Sequence, residues 1–247
     1  MIPPANVDGQ NRRPKSAKGI PPKTGAVRII AGRWRRHRLR VPAVPGLRPT
    51  PDRVRETLFN WLGTGIRGMR CLDLFAGSGA LGLEAASRGA AEVVLVERSE
   101  AVVRNLVSEI RALTARDPGA KSGDARAVSY PPDAGRDLHF PGPPEITVIR
   151  SDALGYLQGT RRRFDVIFLD PPFDSGLLEP ICQCLDSGGR LAQDTIIYLE
   201  MRRAAPWPVL PTRWEITHDA TAGDVRYVLV QPRLNIPIPI GKGCRLG

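Results

Sequence analysis

Aromatic residues are scarce at 6%, only four cysteines are present, and no stretch approaches the roughly 20 consecutive apolar residues needed to cross a bilayer. Four cysteines (Cys71, Cys182, Cys184 and Cys244) in a chain of 247 residues do not make a disulfide framework. Cys182 and Cys184 form a lone C-x-C with no second pair and no histidine nearby, so no metal site is expected. Reduced thiols fit the cytoplasm. Met1–Gly25 lacks the apolar core of a secretory signal, and Pro3, Pro4, Pro14, Pro21 and Pro22 would break the amphipathic helix of a mitochondrial presequence. Acidic residues are scarce in one place only. Residues 1–50 hold Asp8 against twelve Lys/Arg, while 51–247 carry 24 of each sign. The net charge of +11 therefore sits on an N-terminal arm attached to a neutral body. Such asymmetry suits a polyanionic partner; a solvated basic tail is the plain alternative.

The remaining composition, 42% apolar and 25% charged with mean hydropathy −0.20, is that of a globular chain with one sizeable core. Twenty-five Gly and 24 Pro imply irregular segments beside it. Residues 1–25 read as a disordered basic arm, 26–49 as a basic hairpin and loop, 50–232 as the core domain and 233–247 as a loose tail. Residues 114–144, rich in Pro, Gly, Asp and Arg, read as a surface insertion. Thr50 as N-cap and Pro51 at the first helical position open a helix with the stripe Val54, Leu58, Trp61, Leu62. Apolar strands at 71–74, 92–96, 146–149, 164–169 and 195–200 alternate with helices at 80–88, 100–113, 153–158 and 177–186. A closing antiparallel hairpin is expected at 214–217 and 225–230. The pattern is α/β: a mostly parallel sheet covered on both faces. Ligands bind such sheets beyond the carboxyl ends of the strands.

Gly77, Gly79 and Gly82 form G-x-G-x-x-G directly after the first core strand, and Glu97 follows Gly77 by 20 residues at the end of the next. The glycines alone equally suit a dinucleotide, and with it a nicotinamide-dependent oxidoreductase. Asp73 separates the readings. A carboxylate at this strand end would repel a pyrophosphate on the loop. It would attract a cationic ammonium or sulfonium, as in S-adenosylmethionine, with Glu97 accepting from the ribose hydroxyls. Bracing of the loop is the other role open to Asp73. Asp152, after the third strand, is placed to accept from an adenine amine or to cap the helix that follows.

The fourth strand ends in Asp170-Pro171-Pro172-Phe173. Two prolines stiffen the turn and remove two N–H groups, leaving carbonyls beside the Asp170 carboxylate. An acceptor-rich rim of this kind suits a planar exocyclic amine. Such an amine is a poor nucleophile because its lone pair is delocalised. Accepting its hydrogens draws the nitrogen toward tetrahedral geometry as a new bond forms. Phe173 can stack on the base and hold it in line. A tight turn with a core phenylalanine is the alternative.

The blocks Arg28-Ile29-Ile30-Ala31-Gly32-Arg33-Trp34-Arg35 and Leu47-Arg48-Pro49-Thr50-Pro51-Asp52-Arg53-Val54-Arg55-Glu56-Thr57-Leu58-Phe59-Asn60-Trp61-Leu62, followed by the glycine loop and the DPPF turn, resemble the bacterial RsmD family over roughly 28–231, apart from the insertion. Those are methyltransferases that modify a guanine of 16S ribosomal RNA at N2. The resemblance implies a Rossmann-like, seven-stranded class I methyltransferase sheet with an N-terminal basic hairpin, and S-adenosylmethionine as donor. It implies Asp73, Gly77 and Gly79 at the methionine part, with Phe75 alongside, Glu97 at the ribose, and Asp152 with Ala153 at the adenine. Asp170, Pro171, Pro172 and Phe173 would hold the target base. Arg33, Trp34, Arg35, Arg36 and Arg38, with Arg53 and Arg55 on the first helix, are the expected RNA contacts. The expected partner is 16S ribosomal RNA within a small-subunit particle, met by a monomer away from any membrane. A DNA adenine-N6 methyltransferase would share the DPPF turn, and a non-catalytic RNA-binding assembly factor would share the fold.

Overall fold

A computed structural model describes residues 25–44, 50–115, 137–140 and 144–233. The arm before residue 25, most of the insertion and the tail after 233 lie outside the described residues. The elements, in chain order, begin with strands β1 (Gly25–Arg28) and β2 (Arg38–Val41) and helix α1 (Asp52–Leu62). They continue with β3 (Arg70–Asp73), α2 (Gly82–Ser87), β4 (Glu92–Glu97) and α3 (Glu100–Thr114). Next come β5 (Asp137–Phe140), β6 (Glu145–Arg150), α4 (Ala153–Gly159), β7 (Phe164–Leu169) and α5 (Leu178–Ser187). The chain closes with β8 (Leu191–Arg202), β9 (Trp214–Ala222) and β10 (Val225–Pro232).

β1 and β2 form a separate antiparallel hairpin, and the main sheet runs β5-β6-β4-β3-β7-β8-β10-β9. β6, β4, β3, β7 and β8 are parallel; β10 pairs antiparallel with both β8 and β9, and β9 with β10 forms the expected closing hairpin. All seven expected strands are there. An eighth, β5, comes from the segment read as an irregular insertion and pairs antiparallel with β6 at the sheet edge. Its surroundings of Pro and Gly hide a strand whose polar–apolar alternation, Asp137-Leu138-His139-Phe140, lasts only four residues.

Sequence alternation sends side chains to two cores. On one face Leu58 and Phe59 of α1, Leu83 of α2 and Leu106 of α3 pack with Phe168 and Tyr198 of the sheet. On the other, Leu157 of α4 and Ile181 and Leu185 of α5 pack with Leu169 and Leu199. The chain starts its sheet at β3, winds outward through β4 and β6, then crosses to β7 on the other side. The direction of winding thus reverses between β3 and β7, which opens a crevice at their carboxyl ends.

Candidate active site

The crevice is lined with carboxylates at neighbouring strand tips: Asp73 ends β3, Glu97 ends β4, Asp170 follows β7, and Glu200 lies near the end of β8. The register explains the clustering. Asp73 pairs with Phe168 and Leu95, and Leu169 pairs with Leu199, so Asp170 and Glu200 are next in line on adjacent strands. Asp73 and Asp170 therefore share one crevice.

Asp73 is buried and braces the glycine loop. Its Oδ2 accepts from the Gly82 N–H at 3.0 Å and its Oδ1 from the Phe75 N–H at 3.4 Å. Burial pushes its pKa up to about 7, with a smaller upward push from the Asp170 and Glu97 charges. Glu97 accepts from the Gly77 N–H at 3.1 Å and the Ser99 N–H at 2.7 Å, tying the loop to the start of α3. Gly77 (φ +52°) and Gly79 (φ +79°) turn the chain through the left-handed region that a side chain disfavours. Asp152 is exposed and caps α4, its Oδ1 accepting from the Gly155 N–H at 2.8 Å. Ala153 is buried at the first turn of that helix, and Phe75 is half-buried at the loop.

Asp170 is held from outside its own element. The Thr50 hydroxyl donates to its Oδ2 at 3.0 Å. Thr50 was expected to cap α1, but Pro51 occupies the cap position and no side chain caps that helix. The hydroxyl is spent on the site instead. Burial raises the Asp170 pKa and the Thr50 bond opposes that rise. Glu200, buried, accepts from the Tyr198 hydroxyl at 2.6 Å, and burial and the Asp170 charge push its pKa up. Among the described residues none of these four carboxylates has an ion-pair partner, and no group of His, Cys, Asp and Glu is arranged to hold a metal. Asp73, Glu97 and Asp170, uncompensated and mutually repelling, fit a cationic organic ligand. The Asp-Pro-Pro-Phe turn stands over this crevice. Pro171, Pro172 and Phe173 also line a cavity of about 230 Å3 together with Glu200 and Trp207.

The hairpin of β1 and β2 is fastened to the core by buried charge. Glu84 of α2 accepts from the N–H groups of Ile30 (2.7 Å) and Ala31 (3.0 Å) and from Arg88 Nε (2.7 Å). Arg55 lies 3.6 Å from Glu84, donates to Asp52 Oδ1 at 2.6 Å and to the Arg28 carbonyl at 2.9 Å, and is fully buried. Arg55 is thus a structural hub rather than a surface contact for RNA, because every face of its guanidinium is enclosed. Trp34 is likewise buried, its ring packed in the core and its backbone N–H donating to Ser87 Oγ at 3.0 Å, and so offers no open ring face to a base. Arg33, Arg35, Arg36, Arg38 and Arg53 are exposed, and so is Arg40. Arg40 and His37 reach the buried Glu109 of α3 at 3.1 and 3.4 Å.

Glu84, Glu109 and Glu200 went unassigned in the sequence, and Thr50 was assigned only as a helix cap. The one signal available was an acid inside an apolar run, Leu83-Glu84-Ala85-Ala86 and Tyr198-Leu199-Glu200-Met201.

A Rossmann-like α/β methyltransferase is the class that this sheet and these strand tips define. The family described as Conserved hypothetical protein 95 matches residues 27–144 and 124–231. The chain is 41% identical over 208 residues to ribosomal RNA small subunit methyltransferase D of Escherichia coli K12, covering 84% of this chain and 91% of that protein. It is 37% identical over 213 residues to the Haemophilus influenzae protein of the same name, covering 85% and 96%. The solved structure of yhhF from Escherichia coli superposes with a TM-score of 0.67 at 37% identity, covering 84% of this chain and 98% of that one. The chain belongs to the RsmD family of methyltransferases. Its cofactor is S-adenosylmethionine, and the uncompensated carboxylates at the strand tips fit that cation. The dinucleotide reading of the glycine loop falls with this assignment.

Proposed function

We propose that this enzyme methylates the exocyclic N2 amine of a guanine in 16S ribosomal RNA of the small subunit. The observation that carries the reading is the Asp170 turn, set at the crevice that Asp73 and Glu97 line, with one carboxylate oxygen fixed by Thr50. The family's relatives, named for small-subunit ribosomal RNA, supply the substrate.

S-adenosylmethionine supplies an electrophilic methyl group on a positively charged sulfur. Asp73 and the loop at Gly77 and Gly79 hold its methionine part, Glu97 its ribose, and Asp152 with Ala153 its adenine. Asp73 and Glu97 each spend oxygens on loop N–H groups, so the loop shape is set before any ligand arrives. Asp170, with the carbonyls freed by the two prolines, accepts the hydrogens of the amine and favours its pyramidal, bonding form. Phe173 stacks on the flipped base. The exposed arginines of the hairpin, Arg33, Arg35, Arg36, Arg38 and Arg40, with Arg53 on α1, contact RNA phosphates.

The test is mass spectrometry of small-subunit RNA from cells with and without the gene, followed by complementation with Asp170→Ala. The reading expects one N2-methylguanine to vanish on deletion and to stay absent with Asp170→Ala, while the purified variant still binds donor in calorimetry. Unchanged modification on deletion, or full rescue by Asp170→Ala, overturns it.

A further inference from the structure

The Tyr198–Glu200 pair has no part in donor binding or in holding the amine, yet it occupies the next strand tip beside Asp170. Glu200 is buried at 3% exposure, carries no ion-pair partner among the described residues, and has only Oε2 engaged, by the Tyr198 hydroxyl. Asp170 has the same pattern, one oxygen engaged by Thr50 and the other uncommitted. Two adjacent carboxylates thus each offer one acceptor at the end of the sheet. Neither free oxygen is among the enclosed polar atoms left without a partner, so each stays open to the crevice and can accept from a donor that arrives from outside.

Glu200 lines the cavity beside the DPPF turn with Pro171, Pro172, Phe173 and Trp207. Its aromatic walls carry arginines on them: Arg202 lies 5.7 Å from the Phe173 ring and Arg226 4.4 Å from the Trp207 ring. Both arginines are ion-paired, Arg202 with Asp174 and Arg226 with Asp219, so the slot is apolar with aromatic sides stacked by guanidinium planes and one buried acid, the chemistry of a nucleobase pocket.

We propose that Glu200, held by Tyr198, reads the base: its uncommitted oxygen accepts the N1–H of the guanine whose neighbouring N2 amine is presented to Asp170. The inference rests on the proposed guanine-N2 chemistry and adds to it the residue that selects the base. Guanine carries N1–H and N2–H donors side by side, matching two adjacent carboxylates. Adenine and 2-aminopurine present a lone pair at N1, which a carboxylate opposes. Burial disfavours charge on Glu200, and an N–H from the base favours it, acting in the same direction as the Tyr198 hydroxyl.

The experiment uses the full chain and small subunits reconstituted with 16S RNA that carries guanine or 2-aminopurine at the position the wild-type enzyme methylates. Both bases offer the N2 amine, and only guanine has N1–H. The wild-type enzyme is expected to prefer guanine by at least 100-fold in kcat/KM. Glu200→Gln, whose amide can turn its N–H to the N1 lone pair, should cut that preference at least tenfold while binding donor normally in calorimetry. Should Glu200→Gln fail to bind donor, Tyr198→Phe, which frees the carboxylate without removing it, is expected to lower the same ratio severalfold. A preference unchanged in the variant that binds donor overturns the role of Glu200 and leaves the guanine-N2 reading standing. A wild-type enzyme that places no methyl on guanine N2 overturns that reading first.

Discussion

The Thr50 hydroxyl donates to the Asp170 carboxylate across 3.0 Å, joining the residue before the first helix to the tip of β7, 120 positions away. This bond opposes the upward push of burial on the Asp170 pKa. Thr50→Val keeps the shape and removes the donor, so the Asp170 pKa rises. An ionised Asp170 then persists only at higher pH, and the acidic limb of the kcat/KM profile should move up by about 0.5–1 pH unit. An acidic limb that stays in place, measured from pH 5 to 9, would separate Asp170 ionisation from turnover.

Arg55 and Glu84 are both fully buried and partner each other, the β1–β2 hairpin and α1. Removing either breaks a buried charge network, leaving Glu84 with Arg88 alone or Arg55 with Asp52 alone. Arg55→Ala should cost about 3–5 kcal/mol in denaturant unfolding. Proteolysis near residues 30–44 should become rapid, because the hairpin loses its anchor. Arg53→Ala, two residues away and exposed, should leave stability within about 0.5 kcal/mol.

Gly32 has φ +82°, and a Cβ built there would stand 1.8 Å from the Ser87 carbonyl oxygen, a backbone atom that cannot step aside. Gly32→Ala should therefore lift the loop 32–37 off α2, destabilising the protein by about 1–3 kcal/mol. It should weaken RNA binding more than donor binding, and filter binding beside calorimetry separates the two effects.

The carboxyl groups of Asp73, Asp170 and Glu200 all titrate above their ordinary range, chiefly through burial. In the folded protein they hold protons that the unfolded chain has released. Stability without donor should thus be greatest below the unfolded values near pH 4–5 and fall as pH rises through 6–8, at about 1.4 kcal/mol per unit for each proton retained. The cationic donor favours the ionised forms, so its stabilising effect should grow from pH 5 to pH 8. A denaturant midpoint that climbs with pH over that window would contradict the ordering.

How much was legible in the sequence follows from distance along the chain. The glycine loop, the strand before it and the Asp-Pro-Pro-Phe turn each occupy a few consecutive residues, and their spacing is read directly. The alternation of apolar strands with helices gave the parallel sheet for the same reason. Thr50 was misread as a helix cap because Thr-Pro-Asp is a sound local start signal, and only the folded chain shows that a distant carboxylate competes for its hydroxyl. Arg55 and Trp34 looked like RNA contacts because a basic, aromatic run has no sequence mark for which members turn inward. Glu200 is one acid in an apolar strand, and its meaning depends on the register between β7 and β8.

The arginine–glutamate hub has an evolutionary consequence. A hairpin wired by charge into the helix under the donor loop is no detachable accessory. A truncation before residue 50 would take the Ile30 and Ala31 N–H groups from Glu84 and the Arg28 carbonyl from Arg55, and any grafted replacement must restore those backbone partners before it can refine its grip on a new substrate. The fold itself thus constrains the inward pair, whereas the outward arginines answer only to what they bind.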